Sequence, residues 1–325
     1  MKRNILSAVV LSTALKVLFV LFCLMLLCPP VSLAQEQVAQ DQQSQIKHKM
    51  IMLDESRKQI LYVDQFEPKN DWVIKLTDGG VWDVQLIGNN RILVALYELG
   101  GFREYDLTTR KVVREVIDKK YKRTLTAIRF TDGRTLLGCN VNRGYQFFLL
   151  DAEGKLAKEL PHVKDTEIRI ARRTPRDTIV FGCKNDWVTE IDLDGKIVRE
   201  FKVDGAKHIY HVAENAKGNL LVSAGYGCFV AEYDKQNNIV KKWGGLPAPK
   251  NHTFIFFSKF QTLKNGNLVV ATWTGHGTND SSKGVQLAEF DNNANLVWTW
   301  HNPKIAGSIN NVIILDESDT NKLYE

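Results

Sequence analysis

TEIDLDGKIVREF (residues 189–201), AEYDKQNNIVKKW (231–243) and AEFDNNANLVWTW (288–300) follow one plan. An apolar run ends on an aspartate, a short polar turn follows, and a second apolar run alternates away from it. Alternation at period two, with β-branched and aromatic residues flanking Gly/Asn/Asp turns, is the pattern of a β-hairpin. The same aspartate recurs at Asp64, Asp106, Asp151, Asp192, Asp234 and Asp291, at intervals of 42, 45, 41, 42 and 57 residues. About a dozen residues before it stands another strand-like run, as in RILVALY (91–97), TLLGCNV (135–141) and NLLVSAG (219–225). A fourth run precedes that one: VWDVQLI (81–87), LTAIRFT (125–131), IRIARRT (168–174), IYHVAEN (209–215) and FSKFQTL (257–263).

Four short strands every 40–45 residues is the period of a β-propeller blade. One such sheet cannot bury both of its faces, so blades stack radially and bury them against each other. The expectation is therefore an all-β β-propeller over residues 47–325, with six four-stranded blades and seven as the alternative. The first unit has three strands, HKMIML, QILYVD and DWVIKL, and lacks an innermost one. SINNVIIL (308–315) is spare, and Met52-Leu53-Asp54-Glu55-Ser56 is echoed by Ile314-Leu315-Asp316-Glu317-Ser318. A ring that did not close would leave strand edges exposed. The C-terminal strand is thus expected to complete the N-terminal blade, with Lys322–Glu325 left over.

The repeats resemble those of PQQ-type propellers, in which an aspartate, a Gly-turn and a Trp-ended strand recur, as in Asp234…Trp243 and Asp291…Trp298. They are also similar to secreted bacterial propellers labelled surface-layer proteins, through runs such as LKNGNLVVATWTGHG (263–277). The resemblance covers Lys47–Glu325 and implies architecture more than function. Quinone-dependent propellers are expected to carry a vicinal cysteine pair, which this sequence lacks. No quinone or other cofactor is therefore expected.

The N-terminus reads separately. Residues 1–16 are basic-ended, Val17–Cys28 is an uninterrupted apolar run of 12, and Pro29-Pro30 with Val-Ser-Leu-Ala follows. This is a secretory signal (1–34) cut after Ala34, followed by a Gln-rich polar spacer (35–46). An uncleaved signal would be the one route to a membrane. The expected location is periplasmic, extracellular or at the cell surface. The formal charge is +6, but Lys2, Arg3 and Lys16 precede the first acid, Glu36, leaving the remainder near +3. Cys23 and Cys28 leave with the signal. Cys139, Cys183 and Cys228 form no CxxC pair or zinc spacing, so no metal site is expected and they read as small buried strand residues.

In a propeller the loops from outer strand to next inner strand, and from second to third strand, share a face. That face collects Tyr97, Asn142, Arg143, Tyr145, Lys184, Asn185, Trp187, Tyr226, Asn251, His252, Trp273 and His276, besides the basic loop Lys119, Lys120, Lys122 and Arg123. Aromatic rings beside Asn and Arg suit sugars. Inner strands add Trp82, Asp83, Arg129, Arg169, Arg172, His211, Lys259 and Asn311. Arg129 and Arg172, 43 residues apart, read as equivalent cations lining the channel. Insertions at 250–254 and 274–283 place His252 and His276 on long loops, where binding residues concentrate.

The leading expectation is a non-catalytic exported module binding a glycan, an anionic polymer or an envelope protein, and not nucleic acid. Its binding residues would be Trp82, Arg129, Arg169, Arg172, Trp187, His211, Tyr226, Asn251, His252, Trp273 and His276. The sequence carries no GxSxG, HExxH or P-loop motif. The enzyme alternative is a polysaccharide lyase, with His211 or His252 as base and Arg129 or Arg172 neutralising a uronate, or a propeller-type sulfotransferase. A structural surface-layer role is the third reading. Glu104, Glu190, Glu232 and Glu289, each two residues before a repeat aspartate, are expected to do scaffold work, and the aspartates to cap turns.

Overall fold

The computed structural model describes residues 45–183, 186–316 and 318–324. The expected signal (1–34) and most of the expected spacer lie outside the described residues, as do Lys184 and Asn185. Among the described residues no helix is long and apolar enough to cross a membrane.

The chain runs through antiparallel sheets in sequence order. β1 (Lys49–Asp54), β2 (Gln59–Asp64) and β3 (Trp72–Lys75) open blade 1. Blade 2 is β4 (Val81–Gly88), β5 (Arg91–Leu96), β6 (Gly101–Asp106) and β7 (Val112–Ile117). Blade 3 is β8 (Thr124–Arg129), β9 (Thr135–Val141), β10 (Gly144–Leu150) and β11 (Leu156–Glu159), and a short β12 (Val163–Lys164) extends its outer edge along β10. Blade 4 is β13 (Ile168–Arg173), β14 (Ile179–Cys183), β15 (Trp187–Ile191) and β16 (Ile197–Lys202). Blade 5 is β17 (Val212–Glu214), β18 (Leu220–Ser223), β19 (Phe229–Tyr233) and β20 (Ile239–Gly244). Blade 6 is β21 (Phe257–Thr262), β22 (Leu268–Thr272), β23 (Leu287–Phe290) and β24 (Leu296–Trp300). The last strand, β25 (Ile309–Ile314), returns to blade 1 as its innermost strand, pairing Met50 with Ile314 and Met52 with Val312.

The molecule is therefore a six-bladed β-propeller closed by its C-terminal strand. The leftover tail runs on to blade 2, where Leu323 bridges Ile87 and Tyr324 N–H donates to Leu86 O.

Why the units stack follows from their cores. A separate apolar cluster fills each of the first five seams, for example Ile92, Val94 and Tyr105 with Ile51 and Ile60 between blades 1 and 2. Phe254, Phe257 and Phe290 pack with Val230 and Trp243 between blades 5 and 6. The repeat aspartates cap the third-to-fourth strand turns: one Asp192 oxygen accepts from the N–H groups of Asp194 and Lys196, as Asp234 does from Gln236 and Asn238. The recurring glutamates tie strands and blades together. Glu104 meets Arg129 of blade 3 at 2.6 Å, and Glu190 meets Arg176 at 3.0 Å, which also reaches Glu214 of blade 5.

The sixth seam, where Met50, Met52, Leu61, Val269, Leu287 and Trp298 are buried, carries a charged group as well. His48, just ahead of β1, is 4% exposed and is held by Asp316 at 2.5 Å and Glu289 of blade 6 at 2.8 Å, with Trp298 edge-on against its ring. Burial opposes its charge, but the hydrogen bonds to Asp316 and Glu289 outweigh burial and raise its pKa to about 9.

Candidate functional site

Five of the six innermost strands carry a register slip. In β25 Leu53 faces Asn311 while Asp54 faces Ile309, so Asn310 is the extra residue. Similar slips fall between Val81 and Val84 in β4, Thr124 and Thr126 in β8, Ile168 and Ala171 in β13, and Phe257 and Phe260 in β21. A bulge breaks the in/out alternation and re-aims the side chains within it. Here the slips deliver Trp82, Asp83, Arg169, Lys259 and Asn310 to the central channel.

At the channel mouth these residues meet the loops of the predicted face in a cavity of about 70 Å³. Trp82, Arg169 and Asn310 come from inner strands. His208, Tyr210 and Phe256 come from the segments entering blades 5 and 6. Glu55, Tyr226, Trp273 and His276 come from loops between second and third strands. Phe256 is the hub. Tyr226, Tyr210 and Trp273 stand edge-on to it with centroids at 4.8, 5.5 and 5.6 Å. Tyr97 lies against Trp82 at 5.2 Å. Glu55 accepts from Trp273 Nε1 at 2.5 Å and from the exposed His276 ring at 2.6 Å, which fixes the indole. Tyr210 and Asn310 are almost wholly buried. The tyrosine hydroxyl lies near the Asn310 amide without completing a well-formed hydrogen bond, and neither amide end has a partner of good geometry.

Directly beneath, the channel is filled by charge. Asp83, fully buried, takes both Arg172 guanidinium nitrogens at 2.8 Å and the Thr126 hydroxyl at 2.7 Å, with Lys259 Nζ at 3.8 Å. Lys259 also donates to Val84 O, and Asn311 to Trp82 O. Burial raises the Asp83 carboxyl, but Arg172 and Lys259 override it and hold the group below the usual carboxylate range. Burial, with Arg172 beside it, lowers Lys259 to about 7. Burial and the same two cations hold His211 well below the ordinary imidazole range, so its ring is neutral.

Of the predicted binding residues, the mouth brings together Trp82, Arg169, Tyr226, Trp273 and His276. Arg172 and His211 lie in the plug below. Arg129 is in the seam with blade 2, on Glu104. Trp187 opens β15, and Asn251 and His252 sit on the 250–254 loop, all outside the cavity lining. His252 Nδ1 meets Lys250 O. Tyr145, expected on the face, is instead wedged between blades 3 and 4 against Phe147 and Phe181.

The equivalence of Arg129 and Arg172 fails by one residue. Arg129 faces Thr135 across its hairpin and Arg173 faces Ile179, each pair joining the end of one strand to the start of the next. Arg173 is therefore the counterpart of Arg129, and each guanidinium lies over a Phe ring, Phe130 and Phe102 respectively. Because side chains alternate at period two, a one-residue slip sends Arg172 to the other face.

Glu55, His208, Tyr210, Phe256 and Asn310 were missed. The MLDES/ILDES echo did mark the turn bearing Glu55, and IYH (209–211) held Tyr210 beside the nominated His211.

The sequence matches no protein family and no curated protein. Structural likeness is broader. A crystal structure of a protein of unknown function from Bacteroides caccae is similar with a TM-score of 0.69 at 17% identity, over 84% of this chain and 100% of that one. The WD40 β-propeller domain of Doa1 is similar with a TM-score of 0.55 at 12% identity, over 69% of this chain and 72% of that one. At such identities the likeness carries the fold alone: this chain is a β-propeller.

Proposed function

We propose that the chain is an exported, non-catalytic binding module whose channel mouth takes a neutral glycan. The observation that carries this reading is the convergence, in one cavity, of aromatic rings from blades 2, 5 and 6 with the buried Tyr210 hydroxyl and Asn310 amide. Apolar rings cover the C–H faces of a sugar while a few fixed polar groups orient its hydroxyls, the usual composition of a ligand site.

A neutral ligand fits better than an anionic polymer because several of the nominated cations, those of the channel among them, are already paired with carboxylates. Arg172 is committed to Asp83, Arg129 to Glu104, Lys120 to Glu159, and Arg123 and Arg169 to Glu167. The lyase reading needs a base and a cation at one substrate carbon. His211 and Arg172 are sealed in the plug, while His252 lies outside the cavity lining. The leader at residues 1–34 supports export.

Calorimetric titration with neutral oligosaccharides, run beside an assay for chain cleavage, tests the reading. Binding without turnover is expected, and Trp273→Ala should weaken it by about tenfold or more. Failure to bind any saccharide, or cleavage of one, overturns it. For export, the protein recovered outside the cytoplasm should begin at Gln35. A product that retains Met1 inside the cell sinks that part.

A further inference from the structure

Asn310 owes its position to the bulge in β25, the strand that closes the ring. It is 1% exposed, lines the cavity at the mouth, and neither Nδ2 nor Oδ1 completes a hydrogen bond. A buried amide with both ends unfilled is costly, and native structures contain few. A carbonyl oxygen satisfies the amide N–H, and a neighbouring hydroxyl satisfies the amide oxygen. Tyr210 Oη, also without a well-formed partner, stands beside it as a second donor. Phe256 and Trp273 supply an apolar wall. The cavity, about 70 Å³, falls far below the roughly 300–1,000 Å³ that engulfs a drug-sized ligand. It admits a small pendant group and leaves the rest of the ligand outside.

We propose that the mouth reads the acetamido group of an N-acetylated amino sugar. The acetamido carbonyl accepts from Asn310 Nδ2 and Tyr210 Oη, an adjacent sugar hydroxyl donates to Asn310 Oδ1, and the acetamido methyl rests on Phe256. The sugar ring stays at the rim against Trp82, Tyr226 and Trp273. This rests on the glycan reading above and names its class.

The test is a matched titration of the full chain with oligomers of N-acetylglucosamine, glucosamine and glucose, and with a peptide carrying acetyl-lysine. The N-acetylated sugar should bind at least about tenfold tighter than either unacetylated one, the size expected when a site's buried polar groups are left unpaired. Asn310→Leu, close in volume, should erase that preference while leaving the thermal midpoint of the free protein equal or higher, since it removes two unfilled polar atoms. Tyr210→Phe is the second variant, keeping the ring and losing the donor. It should cut affinity for the acetylated sugar several-fold and leave glucose unchanged. Equal affinity for acetylated and unacetylated sugars overturns the proposal and spares the glycan reading. So does a preference that survives in both variants. Tighter binding of the acetyl-lysine peptide than of any sugar overturns it in favour of a protein ligand, and no binding at all takes down both readings.

Discussion

The channel mouth and the plug beneath it are made from neighbouring residues: Trp82 and Asp83, Arg169 and Arg172, Tyr210 and His211, Asn310 and Asn311. The mouth presents rings and an amide whose hydrogen bonds are unfilled. The plug presents a carboxylate paired across the ring, joining Asp83 of blade 2 to Thr126 of blade 3, Arg172 of blade 4 and Lys259 of blade 6, while His211 Nε2 and Asn311 Oδ1 stay without a partner. Cations on the inner strands of a ring therefore report how the ring is held together. The unfilled neutral groups above them report what it can hold. Buried ion pairs contribute little net stability against an apolar alternative, yet removing one partner is severe because the other charge stays buried.

The largest effect should come from breaking the plug. Asp83→Ala leaves Arg172 and Lys259 buried without their anion and should cost roughly 3–5 kcal/mol, read as a fall in the denaturant midpoint. Trp273→Ala at the mouth should cost clearly less stability while carrying the loss of binding. If the two variants were equally unstable, the division between scaffold and site would collapse.

A smaller effect separates the plug from the His48 group of the sixth seam through pH. His48 has its pKa raised from 6.5 to about 9. Its charged form is favoured by folding, so its contribution is complete below pH 6.5 and is lost as pH rises through 9. The shift corresponds to up to about 3 kcal/mol. Lys259 has its pKa lowered from 10.5 to about 7. Folding disfavours its ammonium, so the unfolded chain binds more protons between those values and stability rises with pH. In the window from 7 to 9 the two oppose each other. His48→Gln should make stability climb across it, and Lys259→Met should make stability fall, measured as urea midpoints at several pH values. Parallel slopes in the two variants would remove the contrast.

Much of the architecture could be read in one dimension. The Asp-turn hairpins at Asp192, Asp234 and Asp291, the missing inner strand of blade 1 and the spare SINNVIIL all follow from local alternation and turn chemistry, which need no knowledge of distant contacts. The face was legible for the same reason, since loop order in a four-stranded blade fixes which turns lie together. Loop order placed Tyr226, Trp273 and His276 on that face, and inner-strand position placed Trp82 and Arg169 along the channel. Bulges were not legible. Leu53-Asp54 and Ile309-Asn310-Asn311 look like ordinary strand residues until paired, and only the pairing makes Asn310 the extra one. The comparison of Arg129 with Arg172 failed for another reason: position in the hairpin sets equivalence, and it places Arg173 opposite Ile179 as Arg129 is opposite Thr135.

The sequence by itself determined the strands, their number per unit and the partner of the closing strand, because each is set by short-range periodicity and by the need to bury both faces of a sheet. Only the tertiary structure decided which inner-strand side chains pair across the axis and which remain unfilled at the mouth. Residues from five different blades meet there, and their separation along the chain carries no record of a distance of a few ångströms across a ring.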